Sequence, residues 1–262
     1  MTSLRIAFAG DRDISVQVLK FLLEEGIQPL ALMISHPSRA THDAELRKLC
    51  DYLPEEYVFV GKEFRLPSSI EEIKNLNLDY IISIHFPYIV PKDILSIPKI
   101  GVLNLHPAYL PYNRGWHTPS WAILENTPIG ATLHFMDEGI DTGDIIYQRE
   151  IEILPNDTAD TLYRRLKQLE FNVFREAWPL IVEGSYSRHR QNSGVGTSHQ
   201  RNDLFRPEIQ FIDLNKNVKA EELLKKLRAL TTNRIDEAAY FEVNGRRYRV
   251  QIRIVEEKVG NV

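Results

Sequence analysis

The 262-residue sequence is poor in cysteine: Cys50 is the only one. An intrachain disulfide is therefore excluded, and a zinc site built on thiolates is disfavoured. Long apolar runs are missing too. No stretch approaches the ~20 residues that a membrane-spanning helix needs. The chain shows no signal-peptide pattern, because Arg5-Ile6-Ala7-Phe8-Ala9-Gly10 is already a strand-like apolar run. Basic residues form no long tract and the formal net charge is −4, which argues against a nucleic-acid partner. Arg246, Arg247 and Arg249 gather locally, but they alternate with Tyr248 and Val250 as on the exposed face of a strand. Nucleotide fingerprints are absent: there is no G-x-x-x-x-G-K-[ST], and no G-x-G-x-x-G after the first strand. These absences leave a soluble, cytoplasmic protein without a membrane partner as the expectation. Its 43% apolar residues suffice for a sizeable core.

What is present alternates between two periodicities. Apolar strand runs at 5–10, 29–35, 58–60, 79–85 and 102–106 are separated by helical spacing at 14–25, 43–50 and 68–75. That alternation implies an α/β class with a Rossmann-like open, mostly parallel sheet and helices on both faces. Residues 158–183 form the longest helical pattern, which Pro179 is expected to kink or end. Three regions follow: a main domain over 1–184, a connecting loop over 185–204 and a small appendage over 205–262. The loop is rich in Ser, Gly, Gln, Asn, His and Arg. It reads either as a mobile linker or as a substrate-facing loop. In the appendage, a helix over 220–230 precedes two strand patterns flanking Asn244-Gly245, a strong hairpin signal. One hairpin is marginal alone, so this tail is expected to pack on the core or on a second subunit, with a homodimer as its use.

The chemistry concentrates in two stretches. Residues Leu103-Asn104-Leu105-His106-Pro107-Ala108-Tyr109-Leu110-Pro111 end a strand with an amide and an imidazole two positions apart. Alternate strand residues share a face, so Asn104 and His106 point the same way. Downstream, Asp137-Glu138-Gly139-Ile140-Asp141-Thr142-Gly143-Asp144 sets carboxylates in a Gly-flanked turn between strand-like runs at 129–136 and 145–153. Separately, each has a bland reading: a capped turn with a surface histidine, and an Asp/Gly turn. Together they make a kit for acyl transfer to an amine. The His relays a proton, the Asn donates to an oxyanion, and the Asp orients the His.

The pairing of N-x-H-P-x-x-L-P with G-I-D-T-G-D resembles the folate-dependent formyltransferases. The likeness runs from the opening strand to about Leu180 and resumes at Leu227-Arg228-Ala229-Leu230-Thr231-Thr232. It implies Asn104, His106 and Asp141 as the catalytic set and N10-formyltetrahydrofolate as the formyl donor, with no metal. The donor would lie along Phe86, Pro87, Tyr88, Ile89 and Val90 and beside Gly139, Ile140 and Asp141. Gly196-Thr197-Ser198-His199 is similar to the G-T-x-H segment of the sugar N-formyltransferases. With the chain length and the Gly10-Asp11-Arg12-Asp13 turn, this resemblance implies a nucleotide-linked amino deoxy sugar as acceptor, dTDP-linked by preference and destined for surface polysaccharide. Arg12, Arg114, Trp116 and His199 are the candidate sugar-nucleotide ligands. Formylation of initiator methionyl-tRNA and hydrolysis of formyltetrahydrofolate stay open as alternatives.

Overall fold

The computed structural model describes residues 4–192 and 194–257. In chain order the strands and α-helices are β1 (Ile6–Gly10), α1 (Arg12–Glu24), β2 (Leu32–Ile34), α2 (Asp43–Leu49), β3 (Val58–Val60), α3 (Pro67–Asn75), β4 (Tyr80–Ile84), α4 (Lys92–Leu95) and β5 (Gly101–His106). There follow β6 (Arg114–Gly115), α5 (Thr118–Glu125), β7 (Gly130–Phe135), β8 (Ile145–Glu150), α6 (Ala159–Glu183), β9 (Ser198–His199), α7 (Pro207–Gln210), α8 (Ala220–Ala229), β10 (Ala239–Val243) and β11 (Arg246–Val250). The chain divides into two compact units, and both take several separate segments.

The first unit holds the chain up to His106, then Ala131–Arg149 and Leu169–Gln191. Its centre is a seven-stranded sheet in the order β3-β2-β1-β4-β5-β7-β8. Strands β1 to β5 pair in parallel, whereas β7 runs antiparallel to β5. Strands β1, β2 and β4 are buried along their whole length. Their unbroken apolar runs match that environment, since a parallel sheet is covered on both faces. Ala7, Met33, Phe59, Phe64, Ile81, Ile94 and Val102 form part of one continuous core. At the end of β1, Asp11 caps α1 through its contact with the Arg12 amide. Burial alone would raise the Asp11 pKa, but hydrogen bonds from Thr41, Arg12 and Ser35 outweigh it and hold the carboxylate below its ordinary value.

The second unit comprises Pro107–Gly130, Glu150–Gln168 and the chain from Asn192 onward. Here α5 packs on α8. Ala122, Ile123, Leu162, Leu166 and Ala229 bury one cluster between these helices and the start of α6. Trp121, Leu204, Leu230 and Ala239 bury another. Helix α6 opens with a reciprocal cap: the Thr158 amide donates to Thr161 Oγ1 at 2.8 Å and the Thr161 amide to Thr158 Oγ1 at 3.3 Å. It continues through Pro179 to Glu183, so the proline does not end the helix. Strands β10 and β11 pair antiparallel with Val243 opposite Arg246. Asn244 (φ 51°) and Gly245 (φ 72°) supply the two positive φ angles of a tight hairpin turn. Among the described residues, no helix is long and apolar enough to cross a membrane.

Candidate active site

The site grows out of the register between β5 and β7. Asn104 lies opposite His134, and His106 opposite Thr132. With a two-residue side-chain period, all four belong to one face of the sheet. The turn after β7 brings Asp141 to this face. Its carboxylate oxygens lie 3.5 Å from Asn104 Nδ2, 3.5 Å from His106 Nε2 and 3.7 Å from His134 Nε2. The structure therefore brings Asn104, His106 and Asp141 together, and adds a second imidazole behind them.

The protonation of that second imidazole follows from its neighbours. His134 Nδ1 is 2.7 Å from the Phe135 carbonyl, which only accepts, so Nδ1 carries the proton. Nε2 is left to accept from Asn104 Nδ2 at 3.1 Å. Burial pushes the His134 pKa below the ordinary histidine value, against the pull of the Asp141 carboxylate. A neutral His134 thus fixes which end of the Asn104 amide is the nitrogen. One Asn104 N–H is committed to His134. The other reaches Asp141 at the limit of a hydrogen bond.

The turn itself explains its sequence. Asp137 accepts from the Gly139 amide at 3.0 Å and from Thr142 Oγ1 at 2.6 Å. A Cβ on Gly139 would sit 2.1 Å from Thr142 Oγ1, and one on Gly143 only 1.9 Å from the Phe135 carbonyl oxygen. Gly143 therefore admits no side chain, and one at Gly139 would force the Thr142 side chain to move. Asp141 takes a left-handed conformation, φ 53°, which Asp tolerates better than most residues.

The expected donor loop, Phe86 to Val90, leaves the end of β4. Its aromatic rings turn inward: Phe86 and Tyr88 pack at 5.1 Å, and Phe64 lies 5.4 Å from Phe86. Val90 is buried, whereas Pro87 is exposed and Ile89 is 79% exposed. Three ties from separate parts of the unit hold this loop. His85, at φ 51°, meets the buried Glu170 at 2.7 Å. The His36 amide donates to Tyr88 Oη at 3.2 Å. Arg65 donates to the Ile89 carbonyl. In the turn, Ile140 is 60% exposed and Gly139 is exposed as well.

Arg12 is exposed at the start of α1, with φ 72°. The other candidate sugar-nucleotide ligands lie in the second unit. There β6 and β9 pair in parallel, Arg114 opposite Ser198 and Gly115 opposite His199. Trp116 is 42% exposed, and the Arg201 guanidinium lies 5.2 Å from its ring centre. His199 stacks flat on Trp121, centroids 3.7 Å apart and planes 4° from parallel, with Nε2 3.1 Å from Glu125. Cys50 is buried, and burial first of all raises its thiol pKa to about 11, which leaves it unreactive.

The sequence reading missed His134, Gln191 and Arg201. A signal for His134 existed: Thr132 and His134 alternate with Ala131, Leu133 and Phe135, as strand faces require. None existed for Gln191, which contacts the turn from 50 residues away. Arg201 likewise carries no local signal.

The formyl transferase family matches residues 4–178, and an N-formyltransferase dimerization C-terminal domain matches residues 206–256. The chain belongs to the formyl transferase family. A methionyl-tRNA formyltransferase of Agathobacter rectalis is 29% identical over 94% of this chain and 79% of that protein. Methionyl-tRNA formyltransferases of Geobacter sulfurreducens and Citrifermentans bemidjiense are each 32% identical over 74% and 88% of this chain, which spans 63% and 73% of their respective lengths. The crystal structure of a 4-N formyltransferase from Francisella tularensis superposes with TM-score 0.79 at 24% identity, covering 97% of this chain and 99% of that one; it establishes the shared fold. The formyltransferase PseJ from Anoxybacillus kamchatkensis is 32% identical, with TM-score 0.52, over 75% of this chain and 97% of its own. Its crystal structure is a complex with UDP-4,6-dideoxy-4-formamido-L-AltNAc and tetrahydrofolate.

Proposed function

We propose that this formyltransferase moves a formyl group from N10-formyltetrahydrofolate to the primary amine of an amino deoxy sugar linked to a pyrimidine nucleoside diphosphate. The observation that carries the reading is the Asn104–His106–Asp141 cluster, with neutral His134 orienting the amide, in a chain 32% identical to an enzyme bound to a UDP-linked formamido sugar and tetrahydrofolate. The donor supplies an electrophilic formyl carbon. The exposed apolar side chains of Ile89 and Ile140 and the braced loop at Phe86–Val90 suit a flat pterin.

An amine attacks only when neutral, so nitrogen must lose a proton as the new C–N bond forms. His106 takes that proton, and Asp141 favours the resulting imidazolium. The Asn104 N–H facing Asp141 turns to the formyl oxygen as negative charge develops there. The old C–N bond then breaks and His106 returns its proton to the departing nitrogen. Within the second unit, Trp116 offers a face for the base and Arg114 a bidentate charge for a phosphate.

The protein acts as a homodimer through the region matching the dimerization domain. Its exposed apolar residues include Leu224, Val243, Tyr248 and Val255, whereas Tyr240 is buried against Phe211 within the unit. Light scattering on the wild type should give the mass of two chains, and on Val243→Glu/Tyr248→Glu that of one; a single-chain mass for the wild type at micromolar concentration would sink the dimer.

A second reading, formylation of initiator methionyl-tRNA, is favoured by the names of the curated relatives. Incubation with formyltetrahydrofolate and a panel of UDP-, dTDP- and GDP-linked amino sugars, followed by mass spectrometry, tests the proposal. At least one should gain a formyl group; none doing so would refute it.

A further inference from the structure

We propose that Gln191 is a positioning residue for Asp141, and that residues 186–191 form a strap holding the turn at its working angle. The proposal rests on Asp141 acting as the carboxylate beside His106. Asp141 holds a left-handed backbone conformation, which Asp visits more readily than most residues and which its neighbours must still hold in place. The turn's own hydrogen bonds, from Gly139 and Thr142 to Asp137, brace its first half. Its second half is held from outside. Gln191 Nε2 donates to the Asp141 carbonyl at 2.9 Å and to the Gly143 carbonyl at 2.7 Å. One amide nitrogen with two hydrogens therefore fixes both carbonyls that flank Thr142.

The strap is fixed in turn. His189 and Ile145 exchange two backbone hydrogen bonds, at 2.8 and 2.9 Å. The Arg188 guanidinium lies 3.7 Å from the Phe135 ring centre and 3.3 Å from Asp144. Tyr186 packs against the same Phe135 ring at 5.9 Å. Each contact ties the strap to the β7–β8 turn or to the ends of the strands that carry it. Composition suggested a linker here; residues 186–191 are instead anchored on the chemistry. Without the Gln191 donors, the Asp141 peptide can rotate and carry its carboxylate away from His106. A misplacement of about 1 Å costs on the order of 10²-fold in rate.

Steady-state kinetics of the full chain with formyltetrahydrofolate and its amino-sugar acceptor test this. Gln191→Glu keeps shape and reach but removes both donors. It should lower kcat by about 10- to 100-fold with both KM values unchanged. Adding Gln191→Glu to Asp141→Asn should slow the reaction no further, because the clamp acts only through that carboxylate. Gln191→Lys restores a donor at similar reach and should recover most of the rate. Wild-type kcat in Gln191→Glu and Gln191→Ala, with Asp141→Asn crippled, would overturn the clamp alone. A fall in kcat accompanied by raised KM values, with a further loss in the double variant and no recovery in Gln191→Lys, would make the residue merely structural and overturn it too. Wild-type activity in Asp141→Asn would overturn both the clamp and the role of Asp141.

Discussion

In the first unit the candidate catalytic side chains are close-set, with contacts of 3.1 to 3.7 Å among them. Asn104, His106, His134 and Asp141 come from two adjacent strands and the turn that follows the second. In the second unit the candidate recognition residues are spread over two-residue strands 84 positions apart, and Trp116 is 42% exposed. The first arrangement suits a step in which charge develops, because fixed dipoles need no reorganisation. The second suits recognition, where an exposed ring and a guanidinium offer stacking and a bidentate charge. Binding energy from recognition contacts lowers KM, whereas only contacts made in the transition state raise kcat.

The comparison breaks most visibly if His106 is dispensable. His106→Ala should lower the rate by about 10²- to 10⁴-fold and leave donor affinity intact, as measured by single-turnover kinetics and titration calorimetry. Asn104→Ala should cost about 10² to 10³ in kcat, the loss of one oxyanion donor. Asp141→Asn should lower kcat by about 10²-fold, because the carboxylate that orients His106 and steadies its charge during proton transfer has gone. An effect confined to KM would turn these side chains into binding residues and erase the contrast.

Trp116→Ala and Arg114→Ala sharpen it from the other side. Each should raise the KM for the sugar nucleotide on the order of tenfold, leaving kcat and the donor KM in place. A drop in kcat instead would place the second unit in the chemistry.

Much of the first arrangement was legible in the sequence because its determinants are local. Asn104 and His106 sit two apart on a strand, and Gly139 and Gly143 mark a turn in which Gly139 packs on the Thr142 side chain and Gly143 on the Phe135 backbone. The sheet was legible for the same reason: each parallel strand is a short apolar run between helices. What stayed hidden depends on pairing between distant segments. Nothing in Gln191 announces that it reaches Asp141, and nothing in Ser198 announces a parallel partner in Arg114. His199 looked like a ligand by motif, and the structure finds it stacked on Trp121. Pro179 looked like a helix end, yet α6 runs through it.

The smallest expected effect is on stability. His134 has a depressed folded pKa, so the unfolded chain binds the proton more readily. Its contribution is complete above about pH 6.5 and is lost as pH falls toward the folded value. Asp11 is depressed likewise, and its contribution is lost only below about pH 4. Thermal midpoints measured against pH should fall in two steps on acidification. In His134→Asn the upper step should be weaker and the lower one unchanged. A single step near pH 4 in the wild type would mean that His134 is not held neutral.

The most direct test is a competition in one vessel. The protein receives formyltetrahydrofolate, charged initiator tRNA and a UDP- or dTDP-linked amino deoxy sugar, and the two kcat/KM values are compared. The account predicts that the sugar nucleotide is formylated in strong preference, and that the free amino sugar is a poor substrate because its remote binding energy is missing. Efficient formylation of the tRNA with every nucleotide-linked amino sugar ignored would contradict it.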